Sequence, residues 1–152
     1  MGFTVYEMTY SRSDIIPCDI SCVPFDKRYF SQYMKIYNEC FYDMRKALDV
    51  KPYDFLSTYD QIADKTDDIF LLLNGDDIIG SVACYGNETD DLIVNRKYQR
   101  KGYGKKLLFW AINHIRHKNS DPVTLHVAEW NQNAVRMYEN AGFTVTRTEH
   151  IR

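Results

Sequence analysis

Hydrophobic positions along the chain change period several times, and each change marks an element. Phe3-Thr4-Val5-Tyr6-Glu7-Met8-Thr9-Tyr10 alternates with period two and predicts a strand. Residues 11–24 hold two prolines and no clear period, which predicts loop. From Asp26 the pattern turns helical, with Phe30, Tyr33, Tyr37, Phe41, Met44 and Leu48 recurring at steps of three and four. Lys51-Pro52 closes that helix, because the residue before proline is pushed out of helical geometry. A shorter helix is predicted from Asp54 to Lys65. Ile69 to Leu73 reads as a buried strand, Asn74-Gly75-Asp76-Asp77 as a turn and Ile78 to Tyr85 as the returning strand of a hairpin. Gly86-Asn87 turns again into a third strand, Thr89 to Val94. A long helix over Gly102 to Lys118 carries the stripe Leu107, Leu108, Ala111, Ile112 and Ile115 and stops before Asp121-Pro122. Val123 to Val127 alternates as a strand. Asn131 suits the N-cap of a short helix ending before Gly142, and Phe143 to Thr148 is a last strand.

This order predicts an α/β fold with a mixed, mostly antiparallel sheet flanked by helices. Residues 89–127 form a strand–helix–strand unit, which must be parallel because a crossover helix joins its strands. The length, 152 residues, suits one domain, taken as 1–152, and can bury a core without disulfide or metal. A formal net charge of -2 argues against a dedicated nucleic-acid or membrane-surface binder. No apolar run approaches a membrane span, and the first residues show no signal-peptide pattern. Cys18, Cys22, Cys40 and Cys84 form no CxxC pair, so free thiols in a cytoplasmic setting are expected, with no metal.

The strongest local chemistry lies in Val94-Asn95-Arg96-Lys97-Tyr98-Gln99-Arg100-Lys101-Gly102-Tyr103-Gly104-Lys105. This segment joins a strand to a helix, where unpaired backbone N–H groups and the helix dipole favour an anion. Gly102 and Gly104 allow close backbone approach, and Arg100, Lys101 and Lys105 add charge, so a phosphate or pyrophosphate is expected at the turn. A Walker loop fails at Gln99 and Lys106, and a dinucleotide turn fails for want of a third glycine. A plain solvated basic loop remains the competing reading of the turn alone.

Gln99-Arg100-Lys101-Gly102-Tyr103-Gly104 resembles the Q/R-x-x-G-x-G/A signature of the GCN5-related N-acetyltransferase (GNAT) family. Asn131-Gln132-Asn133-Ala134-Val135-Arg136-Met137-Tyr138-Glu139-Asn140-Ala141-Gly142-Phe143 is similar to that family's second motif, N-x-x-A-x-x-x-Y-E-x-x-G-F. The resemblance covers residues 67–148, implying an acetyl-CoA-binding core there and an acceptor side in residues 1–66. It implies that Gln99 to Lys105 hold the pyrophosphate and that the backbone of Leu92, Ile93 and Val94 holds the pantetheine arm like an added strand. A backbone N–H there would polarise the thioester carbonyl. Asn131 and Ala134 would contact the cofactor, although Asn131 serves equally as a helix cap. Tyr138 would be the general acid toward the leaving thiolate, and a packing tyrosine is the structural alternative.

The base stays open between His126, Glu88 and Asp90, with a water chain as a further possibility. Glu88 and Asp90 lie on the strand before the glycine turn, where Asp90 shares a face with Leu92 and Val94 by period two. His126 lies five residues before Asn131, and imidazole exchanges protons near neutral pH. The acceptor side is rich in aromatics; much of the stripe is core, while Tyr29 and Tyr42 with Asp43, Asp54 and Asp60 are expected to meet a cationic amine. The resemblance therefore implies transfer of acetyl from acetyl-CoA to a primary amine by direct attack in a ternary complex. The alternative is a non-catalytic CoA- or acyl-CoA-binding module. The expected partners are acetyl-CoA and an amine, with no nucleic acid and no membrane, in a monomer or homodimer.

Overall fold

The alternating segments assemble into a seven-stranded sheet. The computed structural model describes residues 2–14 and 16–152. Its strands are β1 (Phe3–Tyr10), β2 (Val23–Pro24), β3 (Ile69–Asn74), β4 (Asp77–Tyr85), β5 (Glu88–Val94), β6 (Val123–Ala128) and β7 (Thr144–Ile151). Its helices are α1 (Phe30–Ala47), α2 (Tyr103–Arg116) and α3 (Gln132–Ala141). The spatial order is β2-β3-β4-β5-β6-β1-β7, so the first strand lies between the last two. All pairings are antiparallel except β5 with β6.

Two apolar clusters cover the two sheet faces. One joins α2 to the sheet through Leu107, Leu108, Ala111, Ile112 and Ile115 with Val82, Val123 and Leu125. The other sets Tyr33 and Ile36 of α1 on Ile69, Leu71, Ile78 and Ile93. Gly80 lets α2 and β5 come close: a Cβ there would stand 2.6 Å from the Ile93 carbonyl oxygen and 2.7 Å from Leu107. Among the described residues, no helix is long and apolar enough to cross a membrane.

Four predicted elements differ. No helix forms over Asp54 to Lys65; only a short 3-10 turn, Tyr59–Gln61, appears there. Side chains take the backbone bonds a helix would need. Asn38 clamps Leu56, donating to its carbonyl at 2.8 Å and accepting from its N–H at 3.0 Å. Gln61 Oε1 accepts from the N–H of Ser57 and of Thr58. The long helix starts at Phe30 behind a 3-10 turn capped by Asp26, and it ends at Ala47, with Asp49 left-handed at φ 53, before Lys51-Pro52 is reached. The expected loop 11–24, of which Ile15 lies outside the described residues, contributes the two-residue strand β2 against Leu71 and Phe70. The last strand runs on to Ile151 because β1 offers it a partner along its full length.

Candidate active site

The parallel pair β5 and β6 touches at one register position, Glu88 with Thr124. The Thr124 N–H donates to the Asn87 carbonyl at 2.9 Å, and Asn87 is tied to Asn119 at 2.8 Å. Beyond this hinge the strands diverge. The backbone of Ile93 and Val94 is paired to β4 on one side, and among the described residues Leu92, Ile93 and Val94 have no ladder partner on the β6 side. A second irregularity reinforces the opening. The β4–β5 register shifts between Ser81 and Ala83, and Asp91 takes φ 47, a bulge that bends β5.

A cavity of about 390 Å³ runs through this gap. On the α2/α3 face it meets Leu92, Leu125, Asn131, Ala134, Met137 and Tyr138; on the α1 face it meets Tyr37, Phe41, Met44, Asp90, Asp91 and His126. Residues from both faces of the sheet line this one cavity, beside the strand edges that β5 and β6 leave unpaired.

At the mouth of the gap the glycine turn leads into α2. Gly102 is the N-cap residue at φ 86, and Arg100 is also left-handed at φ 63. The Lys106 N–H is the first to bond back into the helix, to Gly102 at 3.2 Å, so the amides just ahead of it face outward. Gly102 has nothing within 4 Å of an added Cβ, and at Gly104 a Cβ would meet Met137, Leu92 and Val94 only at ordinary contact. Glycine is thus required at 102 by its φ and by whatever approaches from outside. Arg96, Lys97 and Lys106 are engaged with Glu39, Asp77 and Asp19, whereas Arg100, Lys101 and Lys105 have no carboxylate partner among the described residues. Gln99 donates to the Val94 carbonyl at 2.9 Å and ties the turn to the strand end. Tyr103 packs edge-on to Tyr98, and Lys105 lies over Phe109. Free amides, unpaired cations and an open strand edge together fit a diphosphate carrying an extended arm.

Asn131 caps α3, its side chain accepting from the Ala134 N–H at 3.3 Å, and it also lines the cavity. Two turns further, Tyr138 is half-buried in the same wall. Burial, and then the negative charge of Asp90, push its phenol up to about 12. It stays a proton donor throughout the neutral range.

The residues considered as a base come together on the α1 face. His126 Nδ1 is 3.0 Å from Glu88 Oε2, and its Nε2 is 3.4 Å from Glu7 Oε2. His126 is therefore an exposed, paired histidine rather than a core one. Asp90 does not share a face with Leu92 and Val94 as period two predicts, because the bulge at Asp91 intervenes; Leu92 and Val94 pack with α2. Asp90 stands at the cavity edge and accepts the Asp91 N–H at 2.8 Å. Partial removal from water, and the proximity of other carboxylates, raise both carboxyls, Asp91 to about 7.

Sequence reasoning missed Glu7 and Asp91. Glu7 belongs to a strand whose place beside β6 no local pattern announces, and Asp91 reads as one more polar residue until its bulge is seen. The expected aromatic acceptors also shift. Tyr29 is buried, Tyr42 packs edge-on to Tyr53, and Asp43, Asp54 and Asp60 lie outside the cavity. The stripe residues Tyr37, Phe41, Met44 and Leu48 line it instead.

The fold and site define an α/β protein whose sheet opens between β5 and β6 into a cavity. Residues 30–143 match the acetyltransferase (GNAT) family, and the chain belongs to that family. It is 31% identical over 83 residues to N-alpha-acetyltransferase 30 of Xenopus laevis, a match covering 49% of this chain and 30% of that protein. It is 30% identical over 92 residues to mycothiol acetyltransferase of Corynebacterium glutamicum, covering 57% of this chain and 32% of that one. The matches thus span about a third of the length of these relatives. A GNAT-family acetyltransferase from Colwellia psychrerythraea superposes with TM-score 0.74 at 12% identity, covering 98% of this chain and 55% of that one. The ribosomal-protein-S18-alanine N-acetyltransferase of Escherichia coli does so with TM-score 0.63 at 17% identity, over 83% and 78%. These likenesses show the fold.

Proposed function

We propose that the protein transfers acetyl from acetyl-CoA to a primary amine by direct attack in a ternary complex. The observation that carries this reading is the cavity lined from both faces of the sheet, which places Tyr138 on one face and the Asp90, Asp91 and His126 cluster on the other. A donor and an acceptor entering from opposite faces meet in the gap. In this reading residues 67–148 supply the donor side and residues 1–66 wall the acceptor side.

Acetyl-CoA would bring an activated acyl carbon with a thiolate leaving group. The outward amides from Arg100 to Lys105 would hold its pyrophosphate, with Gln99 fixing the turn. The open edge of Leu92, Ile93 and Val94 would hold the pantetheine arm, and a backbone N–H of that edge would polarise the carbonyl. On the acceptor face, the His126–Glu88 pair or Asp90 would take the proton of the incoming ammonium. A bond forms from the neutral amine nitrogen to the acyl carbon as the carbon–sulfur bond breaks, and Tyr138 gives its phenolic proton to the departing sulfur. The second proton, shed by the nitrogen as it becomes an amide, passes through water to restore the phenol. The products are an amide and CoA.

Thermal unfolding with acetyl-CoA, CoA and ATP tests the donor side. A ligand at a hundredfold excess over its Kd adds about 2.7 kcal/mol, a rise of roughly 5–10 °C for a chain near this size. A rise with acetyl-CoA and CoA but not ATP supports the reading; no rise with any of them overturns it. Binding without turnover of any amine would make the chain a CoA-binding module.

A further inference from the structure

The acceptor half of the cavity has a composition that selects among amines, and this inference rests on the acetyl-transfer reading above. Its walls are apolar, built from Tyr37, Phe41, Met44 and Leu48 of α1 and its C-terminal turn, with Phe3 and Val5 of β1. Its polar part is one-signed. Asp90 and Asp91 line the cavity, and Glu7 and Glu88 bracket His126 at its rim. The nearest cations do not balance them. Arg45 lies in the wall but donates to the carbonyls of Val50 and Pro52 and stacks over Phe55 at 4.5 Å. Lys65 offsets part of the charge but is not a lining residue. Thr89, paired with Cys84 on the α2 side of the sheet, lines the other half at 4% exposure, and its hydroxyl has no hydrogen-bond partner among the described residues.

We infer that the acceptor is a primary amine whose neighbouring carbon carries an aromatic or long apolar group and no free carboxylate. An ammonium gains from the carboxylates, and its apolar substituent gains from the walls. A carboxylate beside the amine, as in a free amino acid, would stand among Asp90, Asp91, Glu7 and Glu88 with no uncommitted cation in the wall to receive it. Two sources share the accepted chemistry: a small arylalkylamine, and the amino end of a peptide beginning with an apolar residue, whose carboxyl is neutralised as an amide. β1 makes this selection possible, since its place between β6 and β7 brings Phe3 and Val5 to the cavity and Glu7 to His126 in its wall.

The test measures CoA release with phenethylamine, phenylalaninamide, phenylalanine, ethylamine and a phenylalanine-initiated tetrapeptide amide. Like-charge juxtaposition costs several kcal/mol, so phenylalanine should fall at least about 100-fold below phenylalaninamide in kcat/KM. Ethylamine should fall about 10- to 100-fold below phenethylamine for loss of its apolar group. The peptide separates the sources: turnover well above phenethylamine assigns the amino end of a chain, and turnover well below it assigns the small amine. Equal use of phenylalanine and its amide overturns the inference while leaving acetyl transfer standing. So does failure of every amine in the set when acetyl-CoA still raises Tm; no rise in Tm removes the transfer reading itself. Glu7→Lys gives a control read as a ratio within one variant, so partial loss of folded protein does not obscure it. The ratio of phenylalanine to phenylalaninamide should rise about tenfold or more with the reversed charge, and Glu7→Gln should raise it less. An unchanged ratio in both variants counts against the charge argument.

Discussion

Replacing Tyr138 with Phe removes one hydroxyl from the cavity wall and keeps the ring, including its edge-on contact with Phe143 at 6.0 Å. The fold should survive with little change in Tm. The chemical cost is expected to be large. Burial and the charge of Asp90 raise the phenol from 10.0 to about 12. At pH 8 only about one phenol in ten thousand is then ionised, so the group is present as an acid in essentially every molecule. A positioned proton donor contributes about 10²- to 10⁴-fold to a rate. We expect kcat to fall by roughly 10²- to 10³-fold while the Kd for acetyl-CoA moves by less than about threefold. CoA release with the best amine gives the first quantity, and the concentration dependence of the acetyl-CoA-induced Tm shift gives the second. Equal losses of turnover and affinity would refute the proton-donor role and make Tyr138 a packing residue. Unchanged turnover would place the leaving-group proton elsewhere.

Two further perturbations probe the same site. Gly102→Val forces a branched side chain to φ 86, a strain of about 1–3 kcal/mol against the fold, and closes the approach to the outward amides, so acetyl-CoA affinity should drop about tenfold or more. Retained affinity in a titration would remove the cradle from the argument. Asp91→Asn tests the buried charge by its pH dependence. The folded state holds the Asp91 proton to about pH 7, whereas the unfolded chain releases it near 3.8. The native protein therefore loses stability as pH rises through that window, and the asparagine variant does not. The variant should gain on the order of 1–3 kcal/mol at pH 8, or about 3–10 °C in Tm, and lose that advantage near pH 4. A Tm difference that does not vary with pH would show that Asp91 titrates normally.

Much of the site was legible because its two motifs are local. Gln99 to Lys105 and Asn131 to Phe143 each carry their chemistry within a single turn or helix, where spacing alone sets geometry. The candidate base residues were named from the sequence, but their grouping was not legible, because it is not local. Glu88, His126 and Glu7 come from three strands, and nothing in any one segment says that they meet within 3.0–3.4 Å. The failed helix at 54–65 has the same origin. Its propensity is ordinary, but Asn38, distant in sequence, takes the Leu56 backbone for itself.

By itself the sequence determined the period of the strands apart from β2 and the bulged part of β5, the stripes of α1 and α2, the free amides of the glycine turn and the position of Tyr138 on α3. These follow from backbone periodicity and from residues a few places apart. Tertiary structure alone decided that β1 lies between β6 and β7, that β5 bends at Asp91, and that β5 and β6 part after one paired position. Strand order and divergence depend on how whole faces are buried against one another, a sum over distant contacts. The gap that holds the cavity arises from that sum.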